Sequence, residues 1–254
     1  MRVKIGVQVR PQHVEFDAMR RAWREAEELG VDTIFTWDHF FPLNGPPAGH
    51  HWEGMASMAC LAETTERAEI GALVCCNAYR NPELLADAHR TIDHMSGGRV
   101  ILGIGAGWFQ RDFDEYGYEF GTAPDRLRAL GEALPRIRSR LGRLNPAPVG
   151  DLPIMIGGTG PKVTLKLTAE HASIWHGFGP PEEWAKSNAI LDEWCERLGR
   201  DPAEIERSVT VRGDNFQRLD DYVAVGATFL VAGLDGPAFD LTDLKTLVAF
   251  RDAQ

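Results

Sequence analysis

IGALVCCNAYRNPELLADAHRTIDHMSGGRVILGI, residues 70–104, is the stretch from which the fold can be read. Two runs rich in β-formers, Ile70 to Cys75 and Val100 to Ile104, flank a segment that opens with Asn81-Pro82 and stays helical in pattern to about Met95. An Asn side chain accepts from the unpaired amides of a helix start, and a Pro in the first turn gives up no hydrogen bond. Strand, helix and strand over this length form a crossover, so the two strands are expected to be parallel.

Outward from this unit the pattern repeats. Towards the N-terminus, Val3 to Val9 reads as a strand. Phe16, Met19, Trp23, Ala26 and Leu29 follow at helical spacing and Gly30 ends the helix. Thr33 to Thr36 is the second strand. A loop rich in Pro, Gly and His (residues 42–51) then leads to a helix from about Trp52 to Arg67. Towards the C-terminus, a long loop precedes a helix from Pro124 to Leu141, and Gly142 to Leu152 is a linker. Ile154 to Ile156 is the fifth strand, with Pro161 opening the fifth helix. Ser173 to Trp175 is the sixth strand, and its helix starts at Pro181. Asp201, Pro202 and Glu204 spell a further helix start. Val209 to Val211 and Phe229 to Val231 are the last strands, with a helix at Leu219 to Val225 between them and a closing helix from Asp240 to Phe250. Eight strands alternating with eight helices in 254 residues favour one closed (β/α)₈ TIM barrel spanning 1–254 over an open doubly wound sheet.

Composition narrows the partners. Asp and Glu number 37 against 27 Lys and Arg, a formal charge of −10, which repels a polyphosphate backbone and argues against nucleic acid. No apolar run approaches the roughly 20 residues of a membrane helix, and MRVKIGVQV reads directly as a strand rather than a leader. Cys60, Cys75, Cys76 and Cys195 form no C-x-x-C pair, a reduced pattern that fits the cytoplasm.

In an α/β barrel the loops after the strands carry the chemistry. After the second strand stands Trp37-Asp38-His39-Phe40, where a His with an acidic neighbour can exchange a proton with a bound ring. The blander reading makes Asp38 a loop cap and His39 a rim residue. After the third, Arg80 precedes a helix start and could attract an anion, or pair with a surface carboxylate. After the fourth, Gly103, Gly105 and Gly107 lead to Trp108; glycines there allow close approach, but this is no dinucleotide fingerprint. After the fifth, Gly157-Gly158-Thr159-Gly160-Pro161-Lys162 suits a phosphate cradle, or a tight turn whose glycines serve packing alone. After the sixth, Trp175-His176-Gly177-Phe178 fits a ring-binding wall or a bare rim. His50 and His51 fall in the flexible second loop, and His89, His94 and His171 on helices at the barrel's outside. Asp38, His39 and His176 could supply three metal ligands. However, Val7-Gln8-Val9 stands where barrel hydrolases carry paired histidines, so no metal is expected.

Jointly, Gly98 to Trp108 followed by Tyr116-Gly117, with Trp37-Asp38-His39, Asn77-Ala78-Tyr79-Arg80-Asn81-Pro82 and Gly157 to Gly160, resemble the luciferase-like monooxygenase superfamily, on its deazaflavin (coenzyme F420) branch. The resemblance covers nearly the whole chain. It implies hydride exchange between coenzyme F420 and a small organic substrate, by a homodimer in which the cofactor carries the hard step. Asp38 and His39 would line the ring, with His39 as proton partner and Trp108 where a related sugar-phosphate dehydrogenase has a Glu acid. A non-proline cis peptide is implied near Leu73-Val74. Leu73, Val74, Cys76, Arg80, Gly105, Gly107 and His176 would contact the cofactor, and Gly157, Gly158, Thr159 and Gly160 would hold its phosphate. Cys76 replaces a common small hydroxyl residue, and the chain is shortened between Leu141 and Pro153, before the fifth strand. Two alternatives remain at this point: a flavin mononucleotide (FMN)-dependent monooxygenase of the same superfamily, and a barrel that binds the cofactor without turnover.

Overall fold

Every strand carries residues that fill either the barrel's interior or the shell beneath its helices, and both layers are mainly apolar. The computed structural model describes residues 2–254. β1 (Lys4–Val9), α1 (Phe16–Glu28), β2 (Thr33–Thr36), α2 (Gly54–Thr64), β3 (Glu69–Ala72), β4 (Cys75–Cys76), α3 (Pro82–Ser96) and β5 (Val100–Gly105) form the first half. The second half is α4 (Gln110–Tyr116), α5 (Ala123–Leu141), β6 (Ile154–Gly157), α6 (Thr164–His171), β7 (Ile174–Gly177), α7 (Pro181–Leu198), β8 (Glu206–Thr210), α8 (Leu219–Ala224), β9 (Phe229–Leu234) and α9 (Thr242–Asp252). The strands are parallel in the order β3-β2-β1-β9-β8-β7-β6-β5-β4, and pairing of β3 with β5 closes the ring. β3 and β4 are two halves of one stave, so this is the expected eight-stave barrel.

Phe35, Leu73, Ile101, Met155, Ile174, Phe229 and Val231 pack as a plug inside the barrel. Gly6 makes room for it, because a Cβ there would lie 2.7 Å from the Phe229 ring. A second, larger cluster joins the outward strand faces to the helices. The Asn81 side chain accepts from the amides of Glu83 and Leu84 at 2.9 and 3.3 Å, so the α3 start behaves as its sequence predicts.

Four expectations need correction. The third strand, expected to run unbroken from Ile70 to Cys75, is interrupted between Ala72 and Cys75; the Leu73–Val74 peptide there is cis, as the resemblance implies. Asp201 does cap its own turn, through Ala203 N at 2.9 Å, but only a short 3₁₀ turn (Pro202–Glu204) follows before β8 begins at Glu206. The chain from Glu206 alternates buried Ser208 and Thr210 with outward residues, and pairing with β7 and β9 overrides the helix start. Pro161 lies in a turn, and α6 begins only at Thr164. Finally, Gln110–Tyr116, expected as part of a long loop, forms the helix α4. Among the described residues no helix is long and apolar enough to cross a membrane.

Candidate active site

The C-terminal ends of the strands open into a cleft of two lobes. One, of about 280 Å³, is lined by Asp38, Val74, Cys76, Gly105, Gly107 and Gly157 among others. The other, of about 410 Å³, is lined by Gln8, Trp37, His176, Thr210 and Arg212 among others. His39, Leu73, Trp108 and Phe178 border both, so the lobes meet at His39.

The back wall of the first lobe is the cis Leu73–Val74 segment. Gln8 Nε2 donates to the Leu73 carbonyl at 2.7 Å, a buried bond that holds this backbone against β1. Val74 sits between two bare strand ends. A Cβ on Gly105 would come within 2.9 Å of its Cγ2, and one on Gly157 within 3.2 Å of its Cγ1. These two glycines are therefore needed for the wall to stand where it does.

Asp38 and His39 face different partners. Successive side chains leaving a strand point to opposite sides, so neighbours in sequence are poorly placed to act as a pair. Asp38 takes a bidentate bond from Arg80, at 2.6 and 2.9 Å, and the Cys76 amide at 3.0 Å. Burial pushes Asp38 up, while Arg80 and the Cys76 amide draw it down. Arg80 also reaches Glu53 at 2.5 Å. Burial works against its charge, but Asp38 raises it above its ordinary value. The expected anion-binding role of Arg80 is thus corrected: both outer nitrogens are committed to carboxylates, and it does not line the cleft. Burial lifts the Cys76 thiol to about 12, so it is a neutral wall residue.

The partner of His39 is a residue that sequence reasoning missed. Asp112, fully buried on α4, accepts from His39 Nδ1 at 2.7 Å, from the Tyr79 hydroxyl at 2.8 Å and from the amides of Phe40 and Phe41 at 3.1 and 3.2 Å. With Nδ1 donating to a carboxylate, Nε2 is the nitrogen left to exchange a proton with a ligand. Trp108 packs edge-on to His39 at 5.7 Å between ring centres and is 64% exposed, forming the rim.

His176 is fully buried, with Nδ1 against Ser208 Oγ and Nε2 against Thr210 Oγ1, both at 2.9 Å. Burial, with the charge of Arg212 adding to it, lowers its pKa to about 3, so it forms a neutral floor under the second lobe. His51, expected in a flexible loop, instead accepts from Trp37 Nε1 at 2.9 Å with the rings stacked, and burial takes its pKa to about 4. His89, expected on a helix at the barrel's outside, is on α3 but fully buried. Asp38, His39 and His176 each have separate partners, and among the described residues no three His, Cys, Asp or Glu side chains group as metal ligands.

At the glycine turn, the Gly158 amide is already used by the His176 carbonyl at 3.0 Å. The amides of Thr159 and Gly160 donate to no backbone carbonyl among the described residues, and they precede α6. Gly157 and Gly158 line the first lobe; Thr159 and Gly160 lie beyond it.

A family model described as luciferase-like monooxygenase matches residues 2–212. Over 114 residues the chain is 37% identical to an F420-dependent glucose-6-phosphate dehydrogenase of Amycolatopsis mediterranei, covering 44% of this chain and 34% of that one. It is 30% identical over 209 residues to the enzyme of the same name from Rhodococcus erythropolis, covering 74% of this chain and 61% of the relative. The chain therefore spans less than two thirds of the length of these relatives. Among solved structures it is similar to an F420-dependent secondary alcohol dehydrogenase in complex with an F420-acetone adduct, with a TM-score of 0.85 and 16% identity over 100% of this chain and 98% of the other. It is also similar to a coenzyme F420-dependent tetrahydromethanopterin reductase from Methanopyrus kandleri, with a TM-score of 0.77 and 16% identity over 98% and 97% of the two chains. At those identities the structures speak for the fold, and the family match speaks for descent. This chain belongs to the luciferase-like monooxygenase family.

Proposed function

We propose that this protein is an oxidoreductase that exchanges a hydride between coenzyme F420 and a small organic substrate. The observation that carries the reading is the Val74 wall between Gly105 and Gly157, in a mainly apolar lobe that His39 also lines. A flat tricyclic ring fits that lobe, and the unpartnered amides of Thr159 and Gly160 ahead of α6 suit a phosphate. The F420-dependent enzymes among the relatives point the same way.

When bound, the deazaflavin would accept or donate the hydride. The protein's own residues do the rest. Val74 would back a bound ring, and Gln8 keeps the Leu73 carbonyl fixed. In the oxidative direction, His39 Nε2 would take the proton of a substrate hydroxyl. Asp112 holds the imidazole and stabilises the charge it gains. Trp108 and Phe178 border both lobes at the rim. Asp38, held by Arg80, lines the lobe and fixes the Cys76 amide. The free thiols suit a reducing cytoplasm, and a homodimer is the assembly that the family resemblance implies.

The Gly157→Ala variant tests this lobe. Its new methyl would press on Val74, and deazaflavin affinity is expected to fall about tenfold, the equivalent of ~1.4 kcal/mol. Equilibrium titration of oxidised deazaflavin measures this, and an unchanged Kd would place the ring elsewhere.

A further inference from the structure

Arg212 stands two residues beyond the end of β8 and lines the second lobe. Among the described residues its guanidinium has no carboxylate or carbonyl partner, although the other arginines near the cleft are engaged: Arg80 by Asp38, Arg10 by Asp235 at 2.5 Å and Arg126 by backbone carbonyls. Arg10 lies close by, with its guanidinium 6.0 Å from the Trp37 ring and its buried Nε unpartnered. Burial and the charge of Arg10 both lower Arg212, with only Asp235 opposing. Two guanidiniums thus share a single carboxylate, which Arg10 already binds.

The rest of the lobe supplies no countercharge. Gln8 and Thr210 are neutral, the His176 ring is neutral and satisfied, and no Asp or Glu lines the space. A chain with a net charge of −10 has many carboxylates, yet none is placed here. A cation at the cleft's edge, repelled by a second cation and left without a protein anion, favours binding of an anion brought by a ligand.

We propose that the second lobe is the substrate subsite and that Arg212 holds an anionic group of the substrate, a carboxylate or a phosphate, with the reacting carbon directed towards His39. The choice of His39 as the reacting end rests on the hydride-transfer reading above; the anion subsite itself does not. Arg212 then selects for small organic acids or phosphate esters over neutral alcohols and ketones of the same size. Thr210 and Gln8 lie alongside to accept or donate to the substrate's polar oxygens.

The test uses the cofactor-free protein with inorganic phosphate and, separately, acetate as probes. The indole N–H signals of Trp37 and Trp108, both on the lobe, are followed by NMR. One anion should shift these signals saturably, and the better-bound one identifies the group. Arg212→Gln should weaken its binding at least tenfold, Arg212→Lys should recover part of it, and Arg143→Gln, on the linker after α5, should leave it unchanged. Arg212 is exposed, so its variants should fold; matching Tm values check this. Deazaflavin affinity should be the same in Arg212→Gln and wild type. No saturable shift with either anion, or equal binding by Arg212→Gln, overturns the subsite and leaves an adventitious ion only. Loss of deazaflavin affinity in Arg212→Gln also overturns it, assigning Arg212 to the cofactor's anionic tail. If the anion binds through Arg212 but deazaflavin does not bind at all, the subsite stands and the cofactor reading fails.

Discussion

His39→Ala will lower turnover by about a hundredfold or more, while Tm falls by only a few degrees. General acid–base catalysis by one positioned group is worth roughly 10²–10⁴ in rate, which sets the scale of the loss. The fold should survive because Asp112 keeps three donors when the imidazole is removed: the Tyr79 hydroxyl and the amides of Phe40 and Phe41. Asp112→Asn is the companion variant. Both Asp112 oxygens accept from two donors each, so the Asn NH2 meets a donor whichever way it sits and disturbs the His39 tautomer; a drop as large as that of His39→Ala, about a hundredfold or more, is expected. Steady-state kinetics beside calorimetric melting separates the two effects. Normal turnover in His39→Ala would move the proton transfer to another group.

Acid will destabilise this protein well above the range in which carboxylates titrate. His51 and His89 have folded pKa values lowered to about 4, and His176 to about 3, in each case chiefly by burial. In the unfolded chain a His takes its proton near pH 6.5. Below that point the unfolded state binds protons that the folded state refuses. The stability due to keeping these rings neutral is therefore complete above pH 6.5 and is lost as the pH falls towards 4. Each ring contributes at most about 1.4 kcal/mol per pH unit, so the three together give an upper bound of ~4 kcal/mol per unit between pH 6 and 4.5. Urea unfolding at several pH values measures this slope, and His89→Leu should reduce it by about a third. A stability independent of pH across that window would contradict the burial of these rings as neutral groups.

The barrel was legible because its evidence is local. Runs such as Val100 to Ile104 and a capped start such as Asn81-Pro82 identify their elements within a few residues, and their alternation implies the topology. The site was legible only in outline. Gly105, Gly157 and Trp108 could be read as a cleft from their positions at strand ends, and they do border one. The pairings could not be read. Asp38 meets Arg80 across 42 residues and His39 meets Asp112 across 73, and no local pattern encodes either contact. Asp112 was hidden further by the brevity of α4, since seven residues give too little periodicity to separate a helix from a loop. The signal that could have found it is an acid beside the buried Phe113, just after a glycine-rich strand end. At Asp201 the cap was read correctly, but sheet pairing decided the structure that follows.

The most direct test of the central claim is a pair of titrations of the purified protein, with coenzyme F420 and with flavin mononucleotide, each followed by fluorescence quenching. Selective micromolar binding of the deazaflavin is expected, reduced about tenfold by Gly157→Ala. Tighter binding of flavin mononucleotide, or binding of neither, would contradict it.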